Sequence, residues 1–142
     1  MTETVLVAMD PGDLDGQRHL LAAAQKEAEA RQAQLVVVLV VEGVPHPVGG
    51  PHFEEMLARL TREATANTQD WLNRELGPGK ARTLVAHGPA GDEILEAARR
   101  VGATAIVMGE RRRRLASRLL GSAAQMVKDQ AGVPVILIPP VA

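Results

Sequence analysis

A chain of 142 residues with a net charge of −1 and no cysteine is the size of one domain, and it excludes disulfide frameworks, thiolate chemistry and Cys-ligated metals. One Phe, one Trp and no Tyr leave no aromatic platform for stacking bases, and the near-neutral balance supplies no field toward nucleic acid or an anionic membrane. No apolar run reaches the ~20 residues that span a bilayer, and Met1-Thr2-Glu3-Thr4-Val5 lacks the basic start and apolar run of a signal peptide, so a cytoplasmic protein is expected.

Val5-Leu6-Val7-Ala8-Met9 is a short apolar run closed by Asp10-Pro11-Gly12, a predicted strand and turn. Leu20, Leu21, Ala24 and Ala28 recur at helical spacing between Leu14 and Arg31. Leu35 to Val41 is an unbroken aliphatic run, the signature of a strand buried on both faces in a parallel sheet. Glu42 to Pro51 holds three prolines and three glycines and reads as a loop. A long helix is predicted from about Pro51 to Leu76, with Phe53, Met56, Leu57, Leu60, Ala64, Trp71 and Leu72 on one side, stopped by Gly77-Pro78-Gly79. Arg82 to Ala86 is a third strand. Pro89 opens a helix carrying Ile94, Leu95, Ala98 and Val101. Thr104 to Met108 is the fourth strand, a helix runs from about Leu119 to Gln130, and Val133 to Ile138 is the fifth strand.

Strands alternating with helices predict one α/β domain over residues 1–142: an open five-stranded parallel sheet with helices on both faces. Pro134 cannot donate a ladder hydrogen bond, which places the last strand at a sheet edge. Its row Val133, Pro134, Val135, Ile136, Leu137, Ile138 needs cover. Either the same strand of a second copy pairs with it in a homodimer, or the chain's own terminal residues shield it.

The segment from Met108 to Ser122 carries most of the functional information. Gly109 ends a strand and Gly121-Ser122 sits near a helix start, the positions where open α/β sheets hold phosphate. Between them lie Arg111, Arg112, Arg113 and Arg114. Arg99, Arg100, these four and Arg118 make seven of the 16 Lys and Arg, with Glu110 the one acid among them, a concentration suited to an anion. A solvated basic loop without ligand is the plainer reading.

Three segments resemble the universal stress protein family: Val5-Leu6-Val7-Ala8-Met9-Asp10; Gly88-Pro89-Ala90 followed by Glu93-Ile94-Leu95; and Ile106-Val107-Met108-Gly109 with Leu119-Leu120-Gly121-Ser122 and Val133-Pro134-Val135-Ile136-Leu137-Ile138. The resemblance implies an adenine-nucleotide α-hydrolase-like, Rossmann-like three-layer fold, a homodimer, often through the last strand, and a role in stress survival. It implies ATP or AMP as ligand, with Mg²⁺ accompanying ATP. Asp10, between Met9 and Pro11, would face the ribose; Val40 or Val41 would line the adenine; Met108 and Gly109 would border the nucleotide. Gly121, Ser122 and Ala123 would offer backbone N–H groups to the phosphates, with the Ser122 hydroxyl beside them.

Members that bind ATP share Gly, two residues, Gly, nine residues, Gly, then Ser or Thr. This sequence keeps Gly109 and Gly121-Ser122, but the middle glycine is Arg112 and eight residues separate it from Gly121. Glycine lets amides approach phosphate without a Cβ between them. Either the guanidiniums of Arg111 and Arg112 replace those amides, since arginine holds phosphate bidentately, or Arg112 fills the phosphate site and the protein is a dimeric interaction module without nucleotide. Asp10 equally fits a turn or helix cap, given Pro11-Gly12.

Other chemistry finds no motif. No Walker A, GxGxxG or Gly-x-Ser-x-Gly pattern is present. Asp13-Leu14-Asp15-Gly16 fails as a calcium loop, because the first and last ligand positions would be Pro11 and Ala22. His46 and His52 flank the Pro/Gly loop and His87 ends the third strand; each reads as a surface histidine. No nucleophile–base spacing is recognisable, so catalysis is at most slow ATP hydrolysis, and nucleic-acid binding by the arginines lacks both aromatic support and overall basic charge.

Overall fold

The structure, a computed structural model, describes residues 3–42, 50–110 and 118–140. Its strands are β1 (Thr4–Met9), β2 (Gln34–Val41), β3 (Ala81–His87), β4 (Ala105–Gly109) and β5 (Val135–Ile138), and its helices are α1 (Arg18–Arg31), α2 (Gly50–Leu76), α3 (Ala90–Val101) and α4 (Arg118–Gln130). All four strand pairings are parallel, in the order β3-β2-β1-β4-β5. The chain therefore winds outward from β1 to β3, then returns to lay β4 on the other side of β1.

The continuous apolar runs follow from burial on both faces. Val5, Val7, Leu35, Val37, Leu39, Ala105 and Val107 point into one core with Leu20, Leu21 and Ala24 of α1 and Trp71 and Leu72 of α2. The intervening Leu6, Val36, Val38, Ile106 and Met108 point into a second core with Ile94 and Leu95 of α3 and Ala124 and Val127 of α4. The period-two alternation of a strand thus serves two aliphatic layers at once.

Two expectations change. The fifth strand begins at Val135, after Val133 and Pro134; proline has no N–H for the ladder, so pairing starts beyond it, although the Pro134 carbonyl still accepts from Ile106 N–H at 3.0 Å. The strand is at an edge, as Pro134 requires, with all four residues half-buried. Helix α2 packs mainly through its second half: Thr68, Trp71 and Leu72 are buried, whereas Met56 and Leu60 are 45% and 48% exposed. A helix of 27 residues is ~40 Å long, and the seven-residue β3 beneath it only ~23 Å, so the helix outruns the sheet. Among the described residues no helix is long and apolar enough to cross a membrane.

Candidate functional site

The chain reverses direction across the sheet between β1 and β4, and the carboxyl ends of these two strands open into a cleft of about 580 Å³. Such switch points leave a crevice because the flanking helices depart to opposite faces. The cleft floor is apolar: Ala8 and Met9 from β1, Met108 and Gly109 from β4, Val40 and Val41 from β2, Ala90 and Ile94 from α3, Ala123 from α4. Its rim is polar, with Asp10, Asp13, Gln17, His19 and Glu42.

The β1–α1 connection is built around Gln17, which is only 8% exposed. Its Oε1 accepts from Asp10 N–H at 2.9 Å. Its Nε2 donates to the carbonyls of Asp10 at 2.8 Å and Asp13 at 2.6 Å. One amide side chain therefore satisfies three backbone groups where the chain leaves the sheet, which a buried loop requires. Asp10 adds a short turn, its Oδ1 accepting from Gly12 N–H at 2.8 Å. The carboxylate is exposed and held at the cleft mouth, so the turn-forming and ligand-facing readings of Asp10 are compatible.

The second wall is tied at the end of β2. Gly88 N–H donates to the Val41 carbonyl at 3.1 Å, and Ala90 N–H, the first of α3, donates to Glu42 Oε2 at 3.1 Å. Gly88 has φ +145°, a conformation nearly confined to glycine, which is how β3 turns into α3 so close to Val41. Pro89, at the N-cap, makes no side-chain cap bond, so Glu42 supplies one from another element.

Of the residues singled out in the sequence, Met9, Asp10, Pro11, Val40, Val41, Met108, Gly109 and Ala123 line this cleft. Ser122 is exposed and does not line it. Helix α4 begins at Arg118, which makes Ser122 and Ala123 its fifth and sixth residues. Their amides belong to the helix ladder, as does that of Gly121, the fourth residue, which is the first placed to donate back along the helix; among the described residues the open N–H groups of its start are those of residues 118–120. Arg111 and Arg112, with the rest of 111–117, lie outside the described residues. His46 also lies outside them, and His87 turns away from the cleft: its Nε2 is 2.8 Å from Thr61 Oγ1 on α2. Thr61 Oγ1 is also 2.8 Å from the Leu57 carbonyl oxygen, and His87 Nδ1 is buried without a hydrogen-bond partner among the described residues.

Gln17, Glu42, Ala90 and Ile94 were missed as site residues. Gln17 looked like one more polar residue before an amphipathic helix, and nothing in its neighbours signals burial. Ala90 and Ile94 were legible: they stand one helical turn apart directly after a strand end, where α/β ligands lie. Among the described residues no three His, Asp or Glu side chains are grouped to hold a metal ion.

The universal stress protein family model matches residues 1–139. A universal stress protein of Thermus aquaticus is 35% identical over 139 residues, 97% of this chain and 99% of the relative. The chain is similar to the solved universal stress protein from Archaeoglobus fulgidus in complex with dAMP, 26% identical with a TM-score of 0.59, over 97% of this chain and 98% of that one. It also shares the fold of a universal stress protein solved in complex with cAMP, 19% identical with a TM-score of 0.67, over 98% of each chain.

Proposed function

The chain belongs to the universal stress protein family, and from that premise we propose that its cleft binds an adenine nucleotide, AMP or ATP, as the reversible ligand of a non-catalytic, homodimeric stress-response module. The observation that carries this reading is the cleft itself. It lies at the β1/β4 switch point, its volume is in the ~300–1,000 Å³ class of small-ligand sites, and Asp10 stands at its mouth beside the apolar Val40 and Val41. Adenine fits the apolar floor near Val40 and Val41, the ribose hydroxyls meet Asp10, and the phosphate points past Gly109 toward the start of α4. The relatives solved with dAMP and cAMP support an adenine nucleotide as the ligand class. Mg²⁺ would arrive with ATP, held chiefly by the phosphates. The half-buried edge strand β5 supports a dimer formed by pairing β5 with its copy.

Native mass spectrometry of the purified protein with AMP and ATP reads both parts together. The expected species is a dimer carrying up to one nucleotide per subunit. A protein that stays ligand-free at millimolar nucleotide overturns the ligand reading; a monomer at every protein concentration overturns the dimer. Changing Arg111, Arg112, Arg113 and Arg114 to Ala tests the second reading, which the lost middle glycine at Arg112 favours. Affinity falls about tenfold or more if the guanidiniums hold phosphate, and rises if Arg112 occupies the phosphate position.

A further inference from the structure

We propose that Trp71 and Asp15 are positioning residues for the ligand cleft, through which helix α2 holds the wall that presents Asp10. The inference rests on the nucleotide reading above and deepens it. One wall of the cleft is a single stretch of chain: Asp10, Asp13, Gln17 and His19 all come from the β1–α1 connection and the first turn of α1. A connection at a binding site keeps one geometry only where packing and outer hydrogen bonds fix it. Gln17 fastens this one from within. Asp15 fastens it from outside, without lining the cleft itself. Asp15 and Gln17 are the first and last residues of one 3₁₀ turn. Gln17 N–H donates to the Leu14 carbonyl at 2.9 Å, and Arg18 N–H donates to the Asp15 carbonyl. These i→i+3 bonds make the turn tight, so a group that holds Asp15 also holds Gln17, and Gln17 holds the Asp10 amide.

The outer fastening comes from one turn of α2, a helix that contributes no residue to the cleft among those described. Trp71 is 5% exposed, in the core that contains Met9 and Leu20. Its indole Nε1–H donates to Asp15 Oδ1 at 2.9 Å. Four residues on, Glu75 accepts from Arg18 Nε and Nη2 at 3.0 and 3.2 Å, and Arg18 Nη2 stands 3.0 Å from Asp15 Oδ1. The arginine pairs are open to water and contribute little. Trp71 is the anchor, because a ring in a close-packed core cannot follow a turn that shifts. A buried indole N–H needs an acceptor, and the acceptor here belongs to the connection that carries the cleft wall. The bonds therefore run from the core of α2 through Asp15 and Gln17 to Asp10.

Calorimetric titration with AMP tests the chain of bonds. Asp15→Ala removes the acceptor at a side chain that is 72% exposed and is expected to weaken AMP binding about 3- to 10-fold. Trp71→Phe keeps a buried ring without the N–H and weakens binding to a similar degree. The double variant binds no more weakly than the weaker single variant, because both changes break one bond. Asp15→Asn, whose Oδ1 still accepts from the indole, binds within about twofold of the wild type. Trp71 is the only tryptophan, so fluorescence excited where adenine does not absorb reads this residue alone. Its emission is expected to change saturably with AMP at the calorimetric midpoint in the wild type, and not in D15A. A bond that served stability alone would leave AMP affinity in D15A equal to wild type and the Trp71 emission indifferent to AMP; either result, or additive losses in the double variant, overturns the positioning role and leaves nucleotide binding standing. Failure of AMP to bind the wild type overturns the nucleotide reading and this inference with it. Urea unfolding checks that each variant is folded, and if W71F is not, D15A and D15N decide the matter.

Discussion

Leu6→Ala is expected to lower the free energy of unfolding by about 3–5 kcal/mol, with the midpoint of a urea transition falling and its slope unchanged. Leu6 is fully buried in β1, the strand paired with β2 on one side and β4 on the other. It packs in the core that joins Val36, Ile94, Leu95, Ile106 and Val127. Truncation there removes methyl groups from water-free packing and leaves a cavity that neighbours on two strands and two helices cannot all move to fill. Against a typical total of about 5–15 kcal/mol for a domain, the loss leaves a marginal protein. Transitions are to be compared at one protein concentration, since dimer formation would couple to stability. A loss below about 1 kcal/mol would mean that the two-layer core described here is loosely packed.

Gln17→Met is expected to cost about 2–4 kcal/mol and to weaken nucleotide binding about tenfold. Methionine keeps the length and volume of the side chain but cannot replace its hydrogen bonds. Asp10 N–H and the carbonyls of Asp10 and Asp13 then lose their partner, and each buried polar group left unmade costs about 1–3 kcal/mol, reduced where cleft water reaches it. The binding loss arises because the turn presenting Asp10 is no longer held in one geometry. Urea unfolding reads the first effect and calorimetry with AMP the second. Affinity equal to wild type in a destabilised Q17M protein would assign Gln17 to stability alone.

The layer architecture was legible because the physics is local and periodic. Leu35 to Val41 could be apolar throughout only if both faces of the strand were covered, and they are. Pro134 marked an edge because a missing N–H is a property of the residue itself, although it also moved the strand's start to Val135. Strand order was not legible, since it depends on which side of β1 the returning chain lays β4. The site was legible in part for the same reason. Asp10 directly follows β1 and Gly109 ends β4, so both were near the cleft in any α/β arrangement, whereas Gln17 and Glu42 matter through hydrogen bonds to residues 7 and 48 positions away. Spacing within one element carries no trace of such contacts. The exposed half of α2 was illegible too: Met56 and Leu60 have the spacing of a buried face, but burial requires a sheet long enough to lie beneath them.

An adenine nucleotide is proposed to occupy the β1/β4 cleft. Titration of ¹⁵N-labelled protein with AMP, followed by amide chemical shifts, reports location as well as binding. The predicted result is saturable perturbation of Asp10, Val41, Gly109 and Ala123, all around the one cleft. An unperturbed spectrum at millimolar AMP, or saturable changes confined to residues remote from these strand ends, such as the exposed half of α2, would contradict the claim.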